Sequence, residues 1–337
     1  MTIPTTPSPL SGSGHASAPM PRVAVSGATG FVGRALVARL ATLDRADVLA
    51  LTRKNPAERV PGVTYIEGGD LSSQDAGQVD LAGVHTVVHT AGRAHILNDR
   101  VADPLAAFRL VNTAGTLRLA ERAVAMGVQR FVFVSSIGVN GVQTAHGKAF
   151  AEADEPRPHN AYALSKWEAE RGLARIARET GLEVVIIRPP LVYGPGAPGN
   201  FGALMRAVQR GWPLPLGAVH NQRSLVALDN LIDFVITCIV HPQAAGQTFL
   251  VGDGRDLSTT ELVRGMAHAA GVPVRLVPVP VWALQAGATV LGKGDAVQRL
   301  CGNLKVDISK ARSVLGWIPP IAVEEGLRRA VPGVQTP

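Results

Sequence analysis

The sequence predicts a doubly wound, parallel α/β sheet with a smaller C-terminal lobe. Three observations carry that expectation. Six short β-branched runs alternate with helical stretches, a glycine-rich turn follows the first run, and the rhythm breaks at Pro189-Pro190. Strands covered by helices on both faces read as continuous apolar runs, whereas half-exposed strands alternate.

Arg22-Val-Ala-Val-Ser26 is the first strand, Gly27 to Gly33 a tight turn, and an amphipathic stretch to about Leu43 the first helix. Val48-Leu-Ala-Leu51, Val63-Thr-Tyr-Ile66 and Thr86-Val-Val-His89 supply strands two to four. A helix from about Pro104 to Met126 precedes the fifth strand, Phe131-Val-Phe-Val134, and a loop with Gly141 and Gly147. A helix containing Tyr162 runs to about Thr180, ahead of the sixth strand, Val184-Val-Ile-Ile187. Gly and Pro then crowd residues 194–217. The helix at Asp229–Val240 and the strand at Gln247–Val251 are expected to rejoin the sheet, while 258–271 and 307–315 join the lobe. The chain therefore divides into a leader at 1–20, an α/β unit at 21–190, and a lobe at 191–330 that returns about 225–252 to the sheet.

At 337 residues the chain fits one large domain, or a domain with a sizeable appendage. Aromatic residues make up only 4% of it, which disfavours a stacking platform for single-stranded nucleic acid. The net charge of +7 is spread without a basic run, a pull toward anions such as phosphates that marks no nucleic-acid partner. Cys238 and Cys301 are the only cysteines, far apart and without metal-ligand spacing. That excludes a disulfide framework and points to a reducing, cytoplasmic compartment. Residues 1–19 lack a basic n-region and an apolar core, so the leader reads as disordered, and Met20 is a second candidate start. The most apolar stretch, Val277 to Gly292, is interrupted by Pro278, Pro280 and Gln285 and reads as a buried or surface-lying helix, not a membrane span.

Gly27, Gly30 and Gly33 follow a strand and open a helix, the arrangement that brings backbone close to a pyrophosphate at a helix N-terminus. At the end of the second strand, where a carboxylate would bind the ribose hydroxyls of NAD, stand Arg53 and Lys54. A guanidinium there suits a 2′-phosphate, which favours NADP(H) over NAD(H). Asp70, after the third strand, is placed to accept from an adenine amine, and Ala91-Gly92 lets backbone pass close to a cofactor. Asn112, polar amid apolar neighbours, is expected to brace a neighbouring strand or loop.

The reactive centre is expected at Tyr162 and Lys166 with a serine of the Ser135-Ser136 pair, Ser136 being the choice that a family resemblance implies. Tyr162 and Lys166 share a helical face, so the ammonium is expected to lower a phenol pKa that is ordinarily about 10. A serine hydroxyl can hold a carbonyl or alkoxide oxygen in line; Ser135 is the competing choice. His85, His89 and His95 lack accompanying carboxylates, and His85 and His89 bracket a strand too far apart for a tight chelate, so they read as core or cofactor-adjacent and no metal is expected.

On these motifs residues 22–330 resemble an extended short-chain dehydrogenase/reductase of the UDP-glucose 4-epimerase-like group. The spacing Gly27-x-x-Gly30-x-x-Gly33 and the Tyr162-x-x-x-Lys166 pair carry the likeness. Gly92-Arg-Ala-His-Ile96, Ser135-Ser-Ile-Gly-Val-Asn-Gly141, Arg188-Pro-Pro-Leu-Val-Tyr-Gly194, Pro213-Leu-Pro-Leu216, Arg223 to Asn230 and Val306-Asp-Ile-Ser309 are similar to bacterial UDP-sugar 4-ketoreductases. The resemblance implies a Rossmann-type NAD(P)-binding fold and reduction of a UDP-linked 4-keto-6-deoxy-N-acetylhexosamine for O-antigen or capsule assembly, with an NAD-dependent UDP-sugar 4-epimerase as the alternative. It implies Ser136, Tyr162 and Lys166 as catalytic; Gly27, Gly30, Phe31, Val32, Gly33, Arg53, Asp70, Leu71, Ala91, Gly92, Lys166 and Pro189 around the cofactor; and Asn200 and Arg223, with Ser136 and Tyr162, on the substrate. It also implies a homodimer through the Pro104–Met126 and Tyr162–Thr180 helices. Leu191, Asn140 and Gly138 depart from the epimerase pattern, and for its late uridine-gripping arginine Arg299 is the candidate. These departures tilt the expectation from epimerisation to reduction.

Overall fold

The inner apolar runs form strands because both of their faces find an apolar helix to cover them, whereas the edge run at Val63–Glu67 is only partly covered. The computed structural model describes residues 21–43, 46–68, 70, 72–73, 78–94, 103–290, 292 and 294–331. The expected leader at 1–20, with Met20, and the positions Leu71, His95 and Ile96 lie outside the described residues. In chain order the first half contains β1 (Val23–Ser26), α1 (Phe31–Ala41), β2 (Val48–Thr52), β3 (Val63–Glu67) and β4 (Thr86–His89). It continues with α2 (Pro104–Phe108), α3 (Gly115–Ala125), β5 (Arg130–Val134), α4 (Ala161–Thr180) and β6 (Glu183–Arg188). The second half contains β7 (Leu191–Tyr193), α5 (Gly199–Gln209), β8 (Leu225–Ala227), α6 (Leu228–Val240), β9 (Thr248–Leu250) and α7 (Thr259–Ala269). Four helices finish it: α8 (Val281–Val290), α9 (Gly294–Cys301), α10 (Ser309–Leu315) and α11 (Val323–Arg329).

Seven parallel strands stand in the order β3-β2-β1-β4-β5-β6-β9, so the chain reverses direction across the sheet between β1 and β4. Such a reversal opens a crevice at the carboxyl ends of the strands, where ligands bind in this architecture. Successive residues of a strand point to opposite faces. Val23 and Val25 accordingly join a core with Leu36 and Leu40 of α1 and Leu231 and Val235 of α6, while Ala24 joins one with Leu119 of α3 and Leu173 of α4. A third core, with Phe201, Met205, Leu262, Met266 and Leu327, fills the lobe.

Local chemistry sets the ends of the helices. Asn160 Oδ1 accepts from the Ala163 N–H at 2.8 Å to start α4, and Gly181 at φ 77° ends it. Ser258 and Glu261 form a reciprocal capping box at α7, a device worth about 1 kcal/mol.

Two features depart from the expected elements. The helix expected over Pro104–Met126 contains a π-helical turn at Arg109–Ala114 between α2 and α3. The widened turn carries the buried Asn112. Of residues 225–252, α6 packs on the seven-stranded sheet and β9 extends it, but β8 instead pairs in parallel with β7 as a separate two-stranded sheet. Asp253, just beyond β9, ties this junction together by accepting from the Tyr193 hydroxyl at 2.7 Å, the Ala227 N–H at 2.8 Å and the Asn230 amide at 2.7 Å.

Candidate active site

A cavity of about 540 Å³ lies at the carboxyl ends of β1, β2 and β4 and is lined by Gly27, Thr29, Gly30, Arg53, Asp70, Ala91 and Gly92 among others. Six of the sequence-expected cofactor residues therefore meet at one surface. Gly27 sits at φ 73°, and a Cβ on it would stand 2.6 Å from the Ala91 nitrogen. α1 begins at Gly30 without a side-chain cap, so its free N–H groups and the positive end of its dipole meet the cavity wall. A bare glycine cradle and an uncapped helix start fit a dinucleotide diphosphate, and exposed Arg53 stands on the same cavity wall.

Gly33, Phe31, Val32 and Pro189 stand elsewhere. A Cβ on Gly33 would lie 2.1 Å from the Gly27 carbonyl oxygen, so this glycine lets α1 close onto the turn. Phe31 and Val32 pack against the apolar cores, because the helix turns their side chains inward. Buried Pro189 accepts the Ile137 N–H at 3.0 Å and fixes the chain beside Ser136. Asp70 is held below the usual carboxylate range by the Ser72 hydroxyl and N–H, with Arg53 adding to the effect, so it offers a charged acceptor inside the cavity.

Ser136, Tyr162 and Lys166 converge beyond Gly92. Ser136 leaves β5 in extended backbone and caps a short 3₁₀ turn, Ile137–Val139, with its Oγ accepting the Gly138 N–H at 3.1 Å. Its hydroxyl is hydrogen-bonded to the phenol of Tyr162, whose half-buried ring meets Phe108 edge-on at 6.1 Å. Lys166, one turn on, is buried; its Nζ donates to the Val134 carbonyl at 3.0 Å and sits 4.5 Å over the Phe133 ring. The competing serine is committed elsewhere, since Ser135 Oγ donates to Glu170 Oε1 at 2.5 Å.

The phenol differs from the sequence expectation. Burial pushes Tyr162 above its ordinary value, and the opposing influence is the Ser136 hydrogen bond, with no contribution from Lys166. Desolvating a phenolate costs more here than a neighbouring hydroxyl returns. Burial also brings Lys166 down to about 8, with Glu170 working to hold it up.

Sequence reasoning missed the frame around these groups. Glu170, the next residue along the Tyr162–Lys166 face, pairs with Arg188 at 2.6 Å, both side chains being buried. Arg188 Nη1 donates to Asn140 Oδ1 at 3.0 Å, and Asn140 Nδ2 donates to the Ala151 carbonyl at 3.0 Å. The four-residue spacing from Lys166 was the one available signal for Glu170; its partners, Ser135 and Arg188, come from two other segments. Asn112 is a brace: its Oδ1 accepts the Arg93 N–H at 2.7 Å, and its Nδ2 donates to the Arg93 carbonyl and Ser165 Oγ. His89 is fully buried between the Ser26 and Thr116 hydroxyls, stacked on Phe133, and pushed down to about 3 by burial and then by the Lys166 charge. It is a neutral core residue beside the site. His85 pairs with the Thr86 hydroxyl at 2.9 Å.

A smaller cavity of about 130 Å³ in the lobe gathers Asn200, Arg223 and Arg299, with Leu191, Phe201 and Leu204 among its apolar walls. Arg223 is positioned by backbone pairing to both Leu257 and Leu304, and its Nη1 donates to the Gly302 carbonyl at 2.9 Å. The arrangement offers two guanidinium groups and an amide in an apolar slot, a combination that suits a flat, anionic ligand.

The chain resembles characterised proteins along most of its length. A Vibrio cholerae UDP-glucose 4-epimerase is 45% identical, over 92% of this chain and 94% of its own. The dTDP-6-deoxy-L-talose 4-dehydrogenase (NAD(P)(+)) of Kitasatospora kifunensis is 30% identical, over 91% and 93%. Among solved structures, the UDP-glucose 4-epimerase of Thermotoga maritima with UDP-glucose superposes with a TM-score of 0.73 at 23% identity, covering 92% of this chain and 97% of that one. Residues 23–252 match the family model described as NAD dependent epimerase/dehydratase. With its glycine cradle and serine–tyrosine–lysine cluster on a matching fold, the chain belongs to the NAD-dependent epimerase/dehydratase family.

Proposed function

We propose that the protein uses NAD(P)H, with NADPH preferred, to reduce the C4 ketone of a UDP-linked 4-keto-6-deoxy-N-acetylhexosamine. The observation that carries the reading is the convergence of Ser136, Tyr162 and Lys166 beside the glycine cradle and Arg53, with burial favouring the neutral phenol. Ketone reduction asks first for a proton donor, whereas epimerisation asks first for a base. Arg53 on the wall of the larger cavity supports the cofactor preference.

A bound reduced nicotinamide supplies the hydride for C4. Gly27, Gly30 and the start of α1 hold the diphosphate, Arg53 the adenosine ribose substituent, and Asp70 the adenine. Tyr162 gives its proton to O4, and Ser136 hydrogen-bonds the same oxygen as negative charge develops on it. Lys166, fixed by the Val134 carbonyl and lying against Gly92 at the cavity wall, holds the nicotinamide ribose. Asn200, Arg223 and Arg299 hold the UDP end, and apolar Leu191 faces the same slot. We take the working unit to be a cytoplasmic homodimer joined through α2–α4. Half-exposed Leu110 and a groove lined by Leu117, Glu168, Gly172 and Arg175 on these elements support that assembly. Among the described residues no helix is long and apolar enough to cross a membrane.

The Vibrio cholerae relative favours a second reading, a UDP-sugar 4-epimerase that retains NAD and returns the hydride to the other face of the ring. Two incubations separate them. Loss of NADPH absorbance equal to the 4-keto sugar consumed, with a 4-hydroxy product by NMR, supports reduction. Interconversion of UDP-glucose and UDP-galactose, or of their N-acetyl counterparts, without added cofactor supports epimerisation.

A further inference from the structure

We propose that the edge of the lobe formed by Trp212, residues 274–280 and α8 is a contact surface for an anionic lipid bilayer, on which the protein lies without crossing it. α8, Val-Trp-Ala-Leu-Gln-Ala-Gly-Ala-Thr-Val, has no charged residue. A helix apolar on all sides is ordinarily a core helix. This one is at the surface, with Val281 and Leu284 packed on the lobe core and Trp282 72% exposed.

The exposed apolar surface continues upstream. The Leu214 N–H donates to the Arg275 carbonyl and the Val277 N–H to the Leu214 carbonyl, both at 2.8 Å. This pairing carries Trp212, 55% exposed, alongside the segment that leads into α8, where Val274 and Val277 are also exposed. Monomeric soluble proteins rarely leave large apolar patches uncovered without a use for them.

Charge decides the partner. Trp212, residues 274–280 and α8 contain no Asp or Glu; Arg275 lies within them, and Arg206 and Arg210 precede Trp212 closely in the chain. Arg206, Arg210 and Arg275 are exposed, and the Arg210 guanidinium lies 5.4 Å over the Trp212 ring. Tryptophan with flanking arginine is the signature of a membrane–water interface. A second copy docked on the same face would bring like charges together, whereas phosphatidylglycerol headgroups would neutralise them. At ten residues, α8 is about 15 Å long, half the hydrocarbon thickness, and so lies in the plane. It packs against α9, which carries Arg299, so the lipid contact borders the substrate slot.

The test is sedimentation of the full chain with vesicles of phosphatidylglycerol and phosphatidylcholine, against phosphatidylcholine alone. Binding to the anionic vesicles, weakened by salt, is expected. Substituting Trp282→Ser together with Val277→Ser is expected to reduce partitioning about tenfold or more, with turnover of a soluble UDP-sugar unchanged. Quenching of tryptophan fluorescence by brominated lipid gives a readout that needs no variant. Absence of vesicle binding and of quenching overturns the proposal. So does a concentration-dependent rise in mass that the double substitution abolishes while vesicle binding is nil, since the surface then belongs to a second copy.

Discussion

Tyr162 stands where two influences oppose each other: burial favours the neutral phenol, and the Ser136 hydroxyl favours the anion. Removing its hydroxyl leaves the nucleotide cavity intact, since that cavity is built from other residues. Tyr162→Phe is expected to lower kcat about 10²- to 10³-fold with NADPH affinity unchanged by calorimetry. Lys166 makes a second prediction. It loses its charge as pH rises through about 8, so kcat/KM for reduction is expected to fall on that alkaline limb. Glu170 holds the ammonium up, so Glu170→Gln is expected to shift the limb to lower pH. An unmoved limb would assign it to another group. Tyr162 and Lys166 were legible in sequence because four-residue spacing on a helix is a geometric statement. The upward shift of the phenol was not, because burial is a property of everything packed around it.

At the scale of elements, the turn between β1 and α1 has the least room. With its Cβ pressed to 2.1 Å from the Gly27 carbonyl, Gly33→Ala is expected to force α1 off the turn. Overpacking of this kind costs about 1–3 kcal/mol; differential scanning fluorimetry should report a lower midpoint and calorimetry weaker NADPH binding. An alanine variant with normal binding would show that α1 needs no such close approach. Strands β1, β2, β4, β5 and β6 could be read from the chain because each centres on a buried apolar run, and β3 because β-branched and aromatic residues dominate it. β7 and β8 could not, being three residues each with their pairing fixed by Asp253 from beyond β9. The π-helical turn left no mark either, since the apolar pattern of Pro104–Met126 runs on across it and only Asn112, turned inward to Arg93 and Ser165, requires the extra residue.

For the whole molecule, the surfaces left over after folding become the question. Leu110 is 46% exposed on the π-helical segment, next to the Arg109–Glu168 ion pair that joins it to α4. If the homodimer forms there, sedimentation should give twice the 35.2 kDa chain mass, and Leu110→Glu should shift the equilibrium to the monomer. A monomeric wild type would remove this face from the assembly. The first core joins segments far apart in sequence: Val23 and Val25 share it with Ala311, Leu315 and Trp317, and Trp317 Nε1 donates to Asp233 Oδ1 at 2.7 Å. During synthesis Val23 and Val25 therefore wait for α10, about 290 residues later, before this core is complete. At about 5–20 residues per second that is roughly 15–60 s, an interval in which β1 has only its earlier neighbours, such as Leu36 and Leu40 of α1, to cover it.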